Sequence, residues 1–236
     1  MSKLSCEIII PSYNEGENLP KLLSNLDAII KKKPFSVILV NNGSTDNTKD
    51  ILDKFNDQFE WLNILHIEKN IGYGHGIASG LQLSTADIIG WTHADLQFEM
   101  SALVVGIQTA EQNPNIIVKG RRVGTRLSSK VTTFGMSLMG KIIMGLPLMD
   151  INAQPKIFSR GFYEKNIKGD SPVDFSFDLF FLWRALKSKS KIQEINVLFL
   201  NRNAGIAKGG GASIRTIITI SWRTLKYMWR IRNDNF

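Results

Sequence analysis

Through its first half the chain alternates short apolar runs with segments of helical spacing. No other feature constrains its fold as much. "CEIIIP", "FSVILV", "LNILHIE", "DIIGWTHA" and "NIIVKGRR" read as strands. Between them, "GENLPKLLSNLDAIIKK" places Leu19, Leu22, Leu23, Leu26 and Ile30 on one helical face. "NTKDILDKFNDQF", "HGIASGLQLS" and "MSALVVGIQTAEQ" continue the pattern as helices. Strands that alternate with helices imply an α/β fold, with a mostly parallel central sheet covered by helices on both faces. The second half is less regular: "PKIFSR" reads as a strand, "FSFDLFFLWRALKS" as a helix and "KIQEINVLFL" as a strand.

Ligands of such sheets bind at the carboxyl ends of strands, so the residues after each strand matter most. The exits read "PSYNEGEN", "NNGSTDNT", "KNIGYGHGIASG" and "HADLQ". Four polar, turn-rich exits on one edge make a cleft. In "WTHADLQ", His93, Asp95 and Gln97 alternate with Thr92, Ala94 and Leu96, so a strand running through them would point the three polar groups one way. Imidazole, carboxylate and amide can bind a cation or cap a loop. Gly72, Gly74 and Gly76 follow the third strand and do not fit the dinucleotide fingerprint, and no phosphate-binding Gly-Lys-Ser/Thr occurs. Those glycines serve either a turn that opens a helix or close backbone approach to a ligand.

The net charge of +8 calls for an anionic partner. Charge alone does not make a nucleic-acid binder, and no recognition motif accompanies it, so none is expected. Cys6, the only cysteine, lies in a strand-like run and reads as a small core residue. No signal peptide is visible and no apolar run reaches membrane-spanning length, so a cytoplasmic protein is expected.

In order and spacing, "IIIPSYNEGENL", "VNNGSTDNT", "NIGYGHGIASGL", "HADLQ", "PKIFSR", "FSFDLFFLWRA" and "RNAGIAKGGG" resemble the family 2 glycosyltransferases, within them the dolichyl-phosphate mannose synthase-like branch. The resemblance implies the nucleotide-sugar-binding GT-A fold and sugar transfer, with inversion, from a nucleotide diphosphate sugar. It places Pro11, Tyr13 and Glu15 in the first nucleotide-binding loop, Asn42 at the base, and Ala94 and Asp95 beside the nucleotide. Asp95 and Gln97, with His93 at the first motif position, match the ligands of a magnesium or manganese ion. Arg122 matches a phosphate-binding arginine, and Arg202 and Lys208 match late basic residues that reach the diphosphate and the acceptor phosphate.

Two departures from that pattern stand out. Asn41-Asn42 replaces the usual Asp-Asp; an amide still bonds a base and adds a donor. His93 replaces an aspartate, and three roles stay open for it: metal ligand, hydrogen-bond donor to the diphosphate, or structural residue.

A sugar hydroxyl acceptor needs a general base, whereas a lipid phosphate needs only cations. Asp95, Arg122 and Asp178 are the catalytic candidates, with Asp178 equally a helix-start carboxylate, and Asp150 reads as orienting a loop. "KGRRVGTR" gathers Lys119, Arg121, Arg122 and Arg126, with Lys130 beyond, as an acceptor-phosphate site. From Lys208 onward there are six basic residues and one acidic. On a helix, Arg215, Arg223, Lys226 and Arg230 fall on one face and Ile214, Ile218, Leu225 and Trp229 on another, which suits an anionic membrane surface or packing on the domain.

The expected organisation is therefore a transferase domain over 1–211 and a basic amphipathic helix over 212–236. The expected activity is hexosyl transfer to polyprenyl phosphate at the cytoplasmic face of a membrane, in cell-envelope or glycan biosynthesis. The alternatives are transfer to a glycan or lipid-linked sugar hydroxyl, and a nucleotide-sugar-binding scaffold without catalysis.

Overall fold

The structure is a computed structural model that describes residues 4–124, 138–145, 150–169, 171–198, 200 and 214–232. Among them, seven strands form one sheet: β1 (Cys6–Ser12), β2 (Ser36–Asn42), β3 (Leu62–Ile67), β4 (Ile88–Trp91), β5 (Ile116–Val123), β6 (Lys156–Ser159) and β7 (Lys191–Leu198). Their order is β3-β2-β1-β4-β6-β5-β7, parallel throughout except for β6, which runs antiparallel between β4 and β5. The expected mostly parallel sheet is present, and "PKIFSR" supplies its one reversed strand.

The helices are α1 (Leu19–Ile30), α2 (Thr48–Phe55), α3 (Tyr73–Leu83), α4 (Ser101–Gln112), α5 (Arg160–Asn166), α6 (Phe177–Lys187) and α7 (Ile214–Arg232), with a further helical stretch over 138–144. They divide between the two faces. Leu19, Leu22, Leu23, Leu26, Leu52, Leu103 and Ile107 of α1, α2 and α4 pack with Ile8, Ile10, Val37 and Leu39. On the other face, Ile77, Leu81, Phe177 and Phe181 of α3 and α6 pack with Ile9, Ile38, Val40 and Trp91. Each strand of the sheet centre thus feeds two cores, which is why these runs are apolar at consecutive positions rather than alternating. Cys6 belongs to the first core, where burial pushes its thiol up to about 12, so it is a packing residue.

Two elements have other bounds than the sequence suggests. The helix α3 begins at Tyr73, two residues before the expected start, so Gly74 joins Gly76 inside it. A Cβ on Gly74 would stand 2.2 Å from the Pro172 carbonyl oxygen, and one on Gly72, at φ 140°, 2.2 Å from that of Val173. The close approach these glycines permit is to the protein's own 172–174 segment. Strand β4 ends at Trp91, so residues 92–97 form a turn and not a strand end. Leu96 takes φ 55°, and the Asp95 carboxylate accepts the Gln97 backbone N–H at 3.1 Å. The alternation expected to aim His93, Asp95 and Gln97 one way is absent.

The basic tail is helical and docked on the domain. Met228 and Ile231 are buried in the second core, and Leu225 and Tyr227 pack against it. Ile218, Trp222 and Trp229 remain 62%, 69% and 57% exposed. The expected apolar face is therefore divided, with Leu225 turned toward the protein and Ile218 and Trp229 turned outward. The side chains of Ile214 and Arg215 lie outside the described residues.

Candidate active site

Strand order reverses on either side of β1: β2 and β3 lie to one side, β4 to the other. Loops that leave β1 and β4 part at such a point and open a crevice between them. Pro11 lies within β1 and Tyr13 and Glu15 follow it; Asn42 closes β2; His93, Ala94, Asp95 and Gln97 follow β4. Neighbouring strand exits thus bring together every expected nucleotide-binding residue except Lys208. That residue lies outside the described residues, as do Arg126, Lys130 and Arg202.

The first two exits are tied to each other. Asn14, in the left-handed region at φ 52°, donates its backbone N–H to Ser44 Oγ at 3.0 Å, and its side-chain oxygen accepts the Thr45 backbone N–H at 2.8 Å. Glu15 donates its backbone N–H to Thr48 Oγ1 at 3.1 Å and accepts from Asn18 Nδ2 at 2.6 Å. Such side-chain bonds fix the two loops against each other.

Asn41 is structural: its amide meets His66 Nδ1 at 3.1 Å and its oxygen accepts the Ser44 backbone N–H at 3.2 Å. Asn42 donates its amide to the Gly72 carbonyl at 2.9 Å, and its buried Oδ1 has no partner among the described residues. The donor that an amide adds is therefore used internally, while the acceptor of the replaced aspartate survives. A buried acceptor with no partner costs about 1–3 kcal/mol unless a ligand satisfies it.

The turn after β4 is held from outside. The β7 end reaches it through Glu99 N–H to Leu198 O (3.2 Å) and Leu200 N–H to Gln97 O (2.8 Å). Asp95 is buried and Gln97 half-buried. One carboxylate and one amide are hard oxygen donors but too few to hold an ion alone, and no group of three or more metal-ligating acidic, His or Cys side chains occurs among the described residues. That donor set fits a magnesium or manganese ion that shares its shell with diphosphate oxygens.

Beneath this crevice lies a row of buried charge. Lys119 and Lys156 face each other on β5 and β6, and both are fully buried. Lys119 Nζ pairs with Glu194 at 2.9 Å, so it is a core cation and does not contribute to an open phosphate site. Lys156 pairs with Asp178, sits 5.4 Å from the Trp91 ring centre and donates to the Ala153 carbonyl at 3.1 Å. Burial lowers the Lys156 ammonium from its ordinary value, and Asp178 opposes that shift. Asp178 also accepts from Gln154 Nε2 at 2.9 Å. It is thus an internal counter-ion and not a carboxylate open to a substrate hydroxyl. Arg122 Nε meets both Asp150 oxygens at 2.9 Å, and its backbone N–H adds a bond at 3.0 Å. Burial acts to raise the Asp150 carboxyl, but the Arg122 guanidinium outweighs it and holds the acid below the usual range. Asp150 thus holds the Arg122 side chain and backbone, a pairing the sequence analysis did not anticipate.

Sequence reasoning did not single out Tyr73, Gln154 or Lys156. Tyr73 Oη lies 3.1 Å from His93 Nε2 and 3.3 Å from Gln154 Nε2, and its ring stacks on Phe175 at 5.1 Å. The available signal was a lysine that opens the buried strand β6, after "NAQP".

The family model for glycosyl transferase family 2 matches residues 7–172. An uncharacterised glycosyltransferase of Bacillus subtilis is 27% identical over 179 residues, 75% of this chain and 44% of that protein. An undecaprenyl-phosphate 4-deoxy-4-formamido-L-arabinose transferase of Photorhabdus laumondii is 31% identical over 139 residues, 58% of this chain and 41% of that protein. The chain spans less than half the length of these curated relatives. The glucosyl-3-phosphoglycerate synthase of Mycobacterium tuberculosis, solved with Mn2+, UDP and phosphoglyceric acid, superposes with a TM-score of 0.75 at 12% identity, covering 99% of this chain and 80% of that one. A Pyrobaculum calidifontis mannosyltransferase solved with GDP-mannose and Mn2+ gives 0.62 at 18%, covering 87% and 59%. A sheet with its crevice at the β1/β4 exits, and a family match over most of its length, make this chain a member of glycosyl transferase family 2 with the GT-A fold.

Proposed function

We propose that this family 2 enzyme transfers a hexose-like sugar, with inversion, from a nucleotide diphosphate sugar to a polyprenyl phosphate, as a member of the dolichyl-phosphate mannose synthase-like branch. The observation that carries the reading is the state of the two acidic candidates. Asp178 is sealed in an ion pair with Lys156, and Asp150 is engaged by Arg122. A hydroxyl acceptor needs a base to take its proton; a phosphate is already an anion and needs only cations near it. The name of the Photorhabdus relative, a transferase to undecaprenyl phosphate, supports the same acceptor class.

In this reading Pro11, Tyr13, Glu15, Asn42, Ala94 and Lys208 hold the nucleotide. The Asn42 acceptor meets a base N–H. Asp95 and Gln97 would hold a magnesium or manganese ion, which when bound would supply positive charge for the leaving diphosphate. Arg122, oriented by Asp150, faces acceptor phosphate together with Lys130 and Arg202. The outer face of α7, with Trp222 and Trp229 beside Arg223, Lys226 and Arg230, rests on the anionic cytoplasmic leaflet where the lipid acceptor resides. No described helix is long and apolar enough to cross a membrane, which leaves surface contact to α7.

The test is an acceptor competition with UDP- and GDP-linked hexoses as donors. A short-chain polyprenyl phosphate is expected to be glycosylated and the matching polyprenol to be inert. Turnover on the polyprenol or on a free sugar would move the enzyme to the hydroxyl-acceptor class. Binding of nucleotide sugars without turnover on any acceptor would make it a scaffold.

A further inference from the structure

The helical stretch over 138–144 is apolar on both of its sides. At about 100° per residue, Gly140, Ile143 and Met144 fall on one face. Leu138, Lys141 and Ile142 fall on the opposite face, with Met139 at its edge. Gly140 is buried, and Ile143 and Met144 pack against the second core. Leu138, Met139 and Ile142 stay 44%, 37% and 71% exposed. A helix that is apolar all round belongs inside a protein or in lipid. The inner side has the protein, so the outer side calls for an apolar partner. Helix α7 lies against the same core through Met228 and Ile231, and it too turns Ile218, Trp222 and Trp229 outward. Charge selects the occupant of these outer faces. Lys141, Arg223, Lys226, Arg230 and Arg232 are exposed, and neither 138–145 nor 214–232 contains an acidic residue. A second copy of this chain, meeting this face across a twofold axis, would set those cations against their own kind. A leaflet with anionic phospholipid takes the cations at its headgroups and the apolar side chains beneath them. The Lys141 stem can lie along the apolar surface while its ammonium stays at the headgroups.

We propose that the 138–144 helix is a second membrane anchor, separate from α7, that inserts Leu138, Met139 and Ile142 into an anionic leaflet and holds the acceptor end of the crevice at the headgroups. Its place in the chain suits that task. Met144 precedes Asp150 by six residues (150 − 144 = 6). Such a span reaches roughly 20 Å even when fully extended. Asp150 in turn holds Arg122, the arginine assigned to the acceptor phosphate. An anchor this near to Arg122 sets the height of its guanidinium above the leaflet. Contact through α7 alone would leave the domain free to turn about that helix, and a second contact on the same face of the sheet fixes its tilt. The link to the acceptor rests on the polyprenyl-phosphate reading; the lipid contact does not.

Two arms test the anchor and the link separately. In the first, a polarity-sensitive nitrobenzoxadiazole label is attached to the full chain through Ile142→Cys. Cys6 is buried with its thiol pushed up to about 12, so it stays unlabelled. Vesicles containing phosphatidylglycerol should shift the label's emission to the blue and raise it severalfold. The same label on Val105→Cys, 49% exposed on α4 at the other face of the sheet, should not respond. No response at 142, or one as large at 105, overturns the anchor. A blue shift at 142 that grows with protein concentration in the absence of vesicles makes the occupant a second copy and overturns it too. In the second arm, Leu138→Ser with Ile142→Ser should weaken sedimentation with those vesicles roughly tenfold. The thermal midpoint should not move, because both side chains are exposed. The KM for a polyprenyl phosphate carried in the vesicles should rise about as much, while turnover of a short, water-soluble polyprenyl phosphate is unchanged. An unchanged KM alongside lost sedimentation strikes the link to the acceptor. An equal loss on both acceptors, with the fold intact, places the helix in the active site and not in lipid. If no acceptor is glycosylated, the proposed function falls, and the label and the sedimentation still decide the anchor.

Discussion

At the residue scale, the two buried ion pairs behave differently because one reaches solvent and the other does not. Lys156 and Asp178 are both sealed. Removing one partner leaves a naked charge in the interior, so Lys156→Met should destabilise the fold by about 3–5 kcal/mol. Lys156→Met with Asp178→Leu, which replaces the pair by apolar groups, should recover most of that loss in urea titrations. A double variant as unstable as the single one would show that the pair is more than internal neutralisation. Arg122 is partly exposed and Asp150 buried. Because Asp150 is held below its ordinary value in the fold, its pairing stabilises the protein above the unfolded carboxyl value of about 4 and is lost as pH falls through the lower folded value. Arg122→Met should therefore cost about 3 kcal/mol at neutral pH. Its deficit against the wild type should shrink in acid, where Asp150 is protonated in both. A deficit independent of pH would place the cost in packing. Neither pairing was legible in the sequence, which offers Asp178 and Asp150 as acidic candidates but cannot say which cation lies opposite: Lys156 is 22 residues from Asp178, and Arg122 is 28 from Asp150.

At the scale of elements, the sequence pattern located nearly every strand and helix, and failed where a local signal had two readings. The glycines before "IASG" read as a loop because glycine is a poor helix former. Gly72 and Gly74 stand where the 172–174 backbone crosses the place of a Cβ, and Gly76 packs against the Asn42 and Pro11 side chains. Helix α7 shows the converse: its amphipathic spacing was plain, but not which apolar residues the domain would claim. Met228 and Ile231 went inward, and Trp222 and Trp229 stayed out. The 138–144 helix adds Ile142, 71% exposed, while Ile143 and Met144 pack on the same core as α7. Aromatic rings beside exposed cations are suited to a lipid headgroup region. Trp222→Ala with Trp229→Ala should therefore weaken sedimentation with vesicles rich in phosphatidylglycerol, and should leave the thermal midpoint little changed because neither ring is in the core. High salt should weaken wild-type binding, since each basic residue near the surface contributes about 1 kcal/mol through a screened interaction. Undiminished vesicle binding by the double variant would remove α7 from the membrane contact.

At the scale of the whole molecule, the crevice at the β1/β4 exits should behave as one ligand site. UDP or GDP with Mn2+ at about a hundred times its dissociation constant should stabilise the native state by about 2.7 kcal/mol. For a domain of this length that is a rise of roughly 5–10 °C in melting temperature. Removing Mn2+ with a chelator should diminish the shift, and Asp95→Asn should diminish it in the same way. A shift insensitive to both would place the nucleotide away from the turn after β4. The sequence by itself determined the parallel sheet, its helical covers and the loops that line the crevice. Each of these follows from periodicity and turn chemistry within a dozen or so residues of chain. Only the tertiary structure decided that β6 inserts antiparallel beside β4 and brings Lys156 under Trp91. It alone joined Gln154, Tyr73 and His93. Those contacts link positions up to 81 apart, and what selects them is the requirement that every charge and polar group enclosed by the two cores find a partner, a condition that exists only once the chain is folded.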